Sequence, residues 1–347
     1  MKLGFLMQKR TVAATLLLVS NAAIGNISVQ NTSTKGVLCS FSNNGTQKLS
    51  YDHMNHRTKI SSPVDENLRY NFSWTCADQE RELSGNGIPN HGTMGGEFAS
   101  KVTSQKIKVS IPLIPNFKNS AMNIKVPGYA LNSVKLDPGT AGTCPNNATD
   151  DSDCSYARGR DQWRMVAISG DLSPWSFNFG DDENHAHVQP NGQYHYHGVP
   201  EGLLEKLSHG EEQLTLVAWA MDGFPIYGRY GYSNPNDPSS AIISMTSSFQ
   251  TLQNPGSGRP SVDDFAMGHF EQDWEFVEGS GDLDECNGRF GVTPEFPEGI
   301  YHYYITDAYP FIQRCVMGEA ESNGKGGPGG PGGPGGPGGP GGPKFPW

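Results

Sequence analysis

Apolar and polar residues alternate along much of this chain with the period of two expected of strands that have one buried face. Tyr70, Phe72 and Trp74 alternate with polar neighbours, and Lys106 to Ile111 repeats the pattern. Trp175, Phe177 and Phe179 alternate with Ser176, Asn178 and Gly180. Leu214 to Ala220 is apolar except for Thr215, which predicts a central strand buried on both faces. Phe270 to Val277 and Gly299 to Ile305 are further strand candidates. Long helical periodicity is nearly absent. The pattern predicts a mainly β fold, a single large disulfide-stabilised antiparallel β domain, sandwich-like, with long loops. Residues 231–263, rich in Ser, Pro, Asn and Gly, read as one excursion around a short buried piece at Ala241 to Met245.

The two ends differ from the middle. Lys9 and Arg10 precede a short, largely apolar stretch from Thr11 to Val19, and Ala23-Ile24-Gly25 offers small residues for cleavage. Residues 1–25 therefore read as a signal peptide. Residues 26–60 form a polar N-terminal segment, expected to be a loosely packed edge. Residues 61–320 form the β domain. Residues 321–347 carry six Gly-Gly-Pro triplets and are expected to be a disordered tail. No stretch is long enough for a transmembrane segment. The mature protein is expected to be secreted, periplasmic or at the cell surface.

Cysteine usage agrees with export. Six cysteines without a Cys-x-x-Cys pair suggest three disulfides, with Cys39–Cys76, Cys144–Cys154 and Cys286–Cys315 the expected pairing. Sequons begin at Asn26, Asn31, Asn44, Asn71 and Asn147. A net charge of −11 disfavours nucleic acid as a partner.

The densest chemistry lies in His185-Ala186-His187-Val188-Gln189-Pro190-Asn191-Gly192-Gln193-Tyr194-His195-Tyr196-His197. Gln189-Pro190-Asn191-Gly192 suits a type I turn, with Gly192 left-handed and closing a three-residue loop with a G1 bulge. That register sets His187 opposite His195 and His185 opposite His197, and period two puts all four rings on one face. A two-residue Asn-Gly loop would split the pairs and place Pro190 in the ladder, where its missing amide is a handicap. Clustered imidazoles point to a transition metal, copper or zinc, or to a neutral hydrogen-bonded network.

Other candidates surround this segment. His91 sits in the shaped loop Gly85-Asn86-Gly87-Ile88-Pro89-Asn90-His91-Gly92, and His302 in Tyr301-His302-Tyr303-Tyr304 echoes the hairpin. Either could complete a metal site. Asp222, directly after the apolar run, could ligate metal, orient a ligand histidine or act as a general base, or simply form an Asp-Gly turn. Asp150, Asp151 and Asp153, like Asp282, Asp284 and Glu285, could hold a hard cation such as calcium, or be exposed acidic loops. Tyr194 and Tyr196 should face away from the histidines and pack in the core. His53, His56, His209 and His269 read as solvated or structural.

Tyr194-His195-Tyr196-His197 resembles the signature of the YHYH family of secreted proteins. Asn86 to His91, His185 to His187, Asp222 to Gly228, Asp284 to Arg289 and Gly299 to Tyr304 are similar to further blocks of that family. The likeness covers roughly residues 85–317, and Tyr304 stands where a second copy of the motif would have its last histidine. The resemblance implies fold membership more than a reaction. The residues themselves lead to an exported transition-metal-binding protein with three or four of the named histidines as ligands. Such a protein could be a metal-dependent hydrolase of a small-molecule or polymeric substrate, or a copper oxidoreductase. A metal-storage or structural module and a cell-surface or matrix adhesion protein are the alternatives.

Overall fold

The computed structural model describes residues 40–55, 60–155, 159–168 and 179–320. In chain order the strands are β1 Ser40–Asn55, β2 Ile60–Ala77, β3 Glu80–Gly85, β4 Glu97–Phe98, β5 Ile107–Pro112, β6 Phe117–Asn123 and β7 Gly128–Ala130. There follow β8 Lys135–Leu136, β9 Thr143–Cys144, β10 Trp163–Arg164, β11 Ala186–Val188, β12 Tyr194–Tyr196, β13 Leu216–Ala220 and β14 Pro225–Tyr227. The last are β15 Tyr230–Tyr232, β16 Ile242–Ser244, β17 Phe249–Thr251, β18 Trp274–Phe276, β19 Gly288–Gly291, β20 Ile300–Tyr304 and β21 Cys315–Gly318. One α-helix, α1 Glu201–Ser208, lies between β12 and β13.

Two sheets carry most of the architecture. One has the order β4-β1-β2-β3-β5, and the other β11-β12-β8-β7-β13-β14-β20-β19. The alternations seen in the sequence become the buried face of the first sheet. Phe72 and Trp74 on β2 and Ile107, Val109 and Ile111 on β5 turn inward, while Lys108 and Ser110 face solvent. These residues share one apolar cluster with Tyr129, Leu216, Trp219 and Tyr227 of the second sheet. Burying large aromatic side chains at about 25 cal/mol per Å² of apolar surface makes this contact a main source of stability. The fully buried β13 sits in the interior of its sheet, as its apolar run predicted.

The expected antiparallel sandwich needs correction. The fold is mainly β, but its sheets are separate and mixed: β12 runs parallel to β8, β20 parallel to β14, and β4 parallel to β1. Parallel neighbours require long crossovers, and the chain between β8 and β12 and between β14 and β20 supplies them. Local alternation reveals which face is buried but carries nothing about the direction of a distant partner. The segment 26–60 also differs from its expectation as an edge. Its described part, β1, is an interior strand paired with β2 along its whole length, with Leu49 and Tyr51 buried. The excursion 231–263 contains a hairpin of its own, Tyr230 pairing with Ser244 across β15 and β16.

Cys144–Cys154 and Cys286–Cys315 are bonded, in agreement with the expected pairing. Cys76 is disulfide-bonded as well, while Cys39 lies outside the described residues. So do the leader-like start, the Gly-Gly-Pro tail, His56, and Trp175 and Phe177.

Arg259 and Asp273 anchor the segment around residues 256–274. Both side chains are buried, 0% and 1% exposed. Every guanidinium donor is used: Nε and Nη2 bond Asp273, Nη1 bonds the carbonyls of Pro260 and Phe265, and Nη2 also bonds Ala266. Asp273 further accepts the amides of Gly268 and Phe270.

Beside this pair, His269 is buried between Phe265 and Phe270, and neither ring nitrogen has a hydrogen-bond partner. Burial first, then the Arg259 charge, pushes its pKa down to about 4. The unfolded chain therefore takes up a proton below about pH 6.5 that the folded chain refuses, so stability falls as pH drops from there to about 4. The loss is on the order of 2–3 kcal/mol from this residue. Replacing His269 with Phe should leave stability at pH 7 unchanged or raised and flatten this acid loss. Urea unfolding of both proteins at pH 7 and pH 4.5 measures it. An equally steep loss in the variant would assign the acid sensitivity elsewhere.

Candidate metal centre

The Pro190-Asn191-Gly192 loop closes the β11–β12 hairpin in the three-residue form. Gly192 takes φ +84° and donates to the carbonyl of Gln189 at 2.8 Å, and the Gln189 amide donates to the carbonyl of Gln193 at 2.9 Å. A Cβ at position 192 would lie 2.0 Å from Thr103 Oγ1, so the site admits only glycine. The resulting register pairs His187 with His195, Ala186 with Tyr196 and Val188 with Tyr194. Beyond the strand end, the His197 amide bonds the His185 carbonyl at 2.8 Å.

His187, His195 and His197 converge. Their ring centroids lie 4.5–4.6 Å apart, and one nitrogen from each falls within 4.8 Å of the other two. His187 Nε2 and His197 Nε2 are 3.2 Å apart. A tetrahedral ion with metal–nitrogen bonds of about 2.0–2.1 Å separates its nitrogen ligands by about 3.4 Å, so small ring movements suffice. The other nitrogens fix which atoms face inward. His187 Nδ1 bonds the Asp181 carboxylate, and His195 Nδ1 donates to the Gln193 carbonyl at 3.2 Å. Both acceptors require a protonated Nδ1, leaving the Nε2 lone pairs free to point into the cluster. His197 Nδ1 is buried without a partner. The cluster can therefore coordinate a metal ion.

Electrostatics keep the buried rings in the ligating form. Burial first, then the rings of His187 and His197, hold His195 well below the ordinary imidazole range. Burial, then His187, pushes His197 down to about 4. Burial opposes ionisation of Asp181, but the neighbouring His187, His197 and His185 outweigh it and hold the carboxyl below its usual range. Lys135, paired with His195 across β8 and β12, places its ammonium 2.8 Å from Asp137, which also accepts from Gln189 at 3.1 Å.

The remaining sequence candidates lie elsewhere. His185 does not join its three neighbours. Its φ of +52° breaks the alternation, and its Nδ1 bonds the Val199 carbonyl at 3.0 Å beside a separate cavity of about 220 Å³. His91 sits behind β12, with Nε2 on the Tyr196 hydroxyl and Nδ1 on the Gly92 carbonyl. His302 bonds the Ile300 carbonyl and the Tyr304 hydroxyl. Asp222 is wholly buried, and its bonds go to the Tyr303 hydroxyl and the amides of Phe224 and Gly318. Burial raises its pKa. As expected, Tyr194 and Tyr196 pack behind the histidines, one donating to Asp182, the other bonded to Asn132 and His91. The acidic groups spend oxygens within the protein: Asp150 on Ser152 and Asp153 on Thr149 in local turns, Asp282 on the distant Thr246, and Asp284 on Cys286 and Gly288 nearby and on Tyr301 across the hairpin.

Sequence reasoning missed Asp181, Lys135 and Asp137. The only signal for Asp181 was an acidic run just ahead of His187. Replacing Asp181 with Asn should weaken metal binding about 10- to 100-fold by loosening the His187 ring. Competition titration with a metal indicator reads this directly, and an unchanged affinity would remove Asp181 from the ligand support.

A family profile described as YHYH protein matches residues 108–318, which includes the whole three-histidine cluster. No curated protein and no solved structure matches the chain.

Proposed function

The chain belongs to the YHYH family, and we propose that it is an exported transition-metal-binding protein whose ion, copper or zinc, is held by His187, His195 and His197. The convergence of three imidazoles, two of them with Nε2 freed by an outward hydrogen bond from Nδ1, carries this reading. Imidazole donors suit copper and zinc and are poor ligands for calcium. Export rests on the leader-like start and on the disulfides.

Three protein ligands, rather than four, favour a centre with a coordination position left for water or substrate. The His187 and Asp181 side chains keep 16% and 13% of their surface exposed, while His195 and His197 are buried, so approach is from the His187–Asp181 side. A bound ion there would supply Lewis-acid activation of water for hydrolysis or, as copper, electron transfer. Around it, Asp181 orients His187 and Gln193 orients His195, while the Lys135–Asp137 ion pair flanks the cluster.

The test uses full-length protein purified without an affinity tag. Elemental analysis should find one equivalent of copper or zinc, or apoprotein should take up one equivalent and unfold at a higher temperature. Cobalt(II) substitution then reads the open position: its visible spectrum should shift on adding azide. Absence of bound metal, with no thermal response to zinc or copper, would refute the metal reading. A cobalt spectrum indifferent to azide would favour a closed storage or structural centre.

A further inference from the structure

The eight-stranded sheet has a hidden symmetry. Its order, β11-β12-β8-β7-β13-β14-β20-β19, reads from the middle outward as two copies of the same four-strand unit. The centre is the antiparallel contact of β7 and β13. Tyr129 faces Trp219, flanked by Ala130 facing Ala218 and Gly128 facing Ala220. The Leu131 amide bonds the Val217 carbonyl, and the Met221 amide bonds the Pro127 carbonyl, both at 2.8 Å. Exchanging the two units maps each of these bonds onto the other.

The correspondence continues outward. The β7–β8 turn uses Asn132 to cap the Val134 amide and a left-handed Ser133; the β13–β14 turn uses Asp222 to cap Phe224 and a left-handed Gly223. Asn132 bonds the hydroxyl of Tyr196, and Asp222 that of Tyr303. Leu136 pairs in parallel with Tyr196, and Ile226 with Tyr303. In the outer hairpins, Asp182 accepts from the Asn184 amide and the Tyr194 hydroxyl, and Asp284 from the Cys286 amide and the Tyr301 hydroxyl. His185 and Asn287 both take positive φ, 52° and 59°, and their carbonyls receive the amides of His197 and Tyr304 at 2.8 and 2.9 Å. His187 pairs with His195 where Arg289 pairs with His302.

The symmetry places Arg289, His302 and Tyr304 where the first unit has His187, His195 and His197. Their polar ends meet through the Tyr304 hydroxyl, which both His302 and Arg289 reach. His302 Nδ1 bonds a carbonyl two residues back, as His195 Nδ1 does, and its Nε2 lies 2.8 Å from the Tyr304 hydroxyl. Arg289 Nη2 lies 3.3 Å from that hydroxyl and 2.7 Å from the Tyr232 carbonyl. A guanidinium has no lone pair to offer a metal and keeps its charge at any physiological pH.

We infer that Arg289, His302 and Tyr304 are a second copy of the metal centre in which the Arg289 guanidinium takes the place of the ion. The chain thus holds one exchangeable cation and one built-in cation at symmetry-related positions. This rests on the proposed reading of the first centre. Within it, the second site is a metal site by frame and lacks only its ligands.

The test restores them. Arg289→His with Tyr304→His, in the full chain, should raise bound zinc by one equivalent over the parent, measured by elemental analysis after gel filtration. No gain in a variant with parental circular dichroism and unfolding midpoint would overturn the inference. If the parent holds no zinc but this variant holds one, the proposed function fails and only the structural equivalence of the two sites survives; if neither holds any, both fail. The reciprocal exchange, His187→Arg with His197→Tyr, decides the matter should the first variant not fold. It should give a folded protein whose first centre takes no zinc. A chain that cannot fold with the exchanged residues would overturn the equivalence of the two sites.

Discussion

Alanine at His195 and His197 together is expected to abolish metal uptake. The double variant keeps one imidazole of three, and a single surface-edge histidine has no chelate partner to hold copper or zinc against water. In the parent, metal at a thousandfold excess over its Kd should add about 4 kcal/mol of stability, and the variant should lose all of it. The apoprotein effect is smaller and mixed. Two buried rings are removed, which leaves space, but the unpartnered His197 Nδ1 goes with them and relieves a buried polar atom. Thermal unfolding with and without zinc separates the two effects. Alanine at His91, which is bound behind the strand to Tyr196 and Gly92, should keep the response to metal. A zinc response that survives loss of His195 and His197 would place the ion elsewhere.

Asp273→Ala is expected to cost about 3–5 kcal/mol. The buried Arg259 charge would lose its carboxylate, and two Nη1 bonds to carbonyls and one from Nη2 cannot replace it. The amides of Gly268 and Phe270 would lose their acceptor as well. An Arg259→Met, Asp273→Leu pair should be far milder than either single change, because the main cost is the stranded charge rather than the absent attraction. Chemical unfolding of the single and double variants gives the comparison, and a single-variant cost below about 1 kcal/mol would contradict the account.

How much of this was legible in the sequence follows from the range of each interaction. The hairpin register was readable because Pro190 and Gly192 constrain the loop locally, and the Cys144–Cys154 bond because it closes a short acidic loop, whereas the spacing of Cys286 and Cys315 carried no such signal. The strands from Ile107 to Pro112 and from Leu216 to Ala220 announced themselves by which faces are apolar. Helix α1 was not visible, since eight residues with Leu203 and Leu204 buried give too few turns for a period to emerge. The departure of His185 depends on a left-handed backbone that histidine does not advertise. Asp222 lies in the Asp-Gly turn that was weighed against a site role, held by partners from β20 and β21 that only the assembled fold brings near. The parallel pairings, and with them the doubled sheet, depend on crossovers whose course no local pattern records.

The tyrosines behind β12 bear on how an ion would arrive. Tyr194 and Tyr196 are wholly buried and clamp the strand from its far side through Asp182, Asn132 and His91. The ligand-bearing backbone is thus held in place by packing that owes nothing to metal. An incoming ion meets a finished socket, so uptake should be governed by encounter and ligand exchange, with no folding step to wait for.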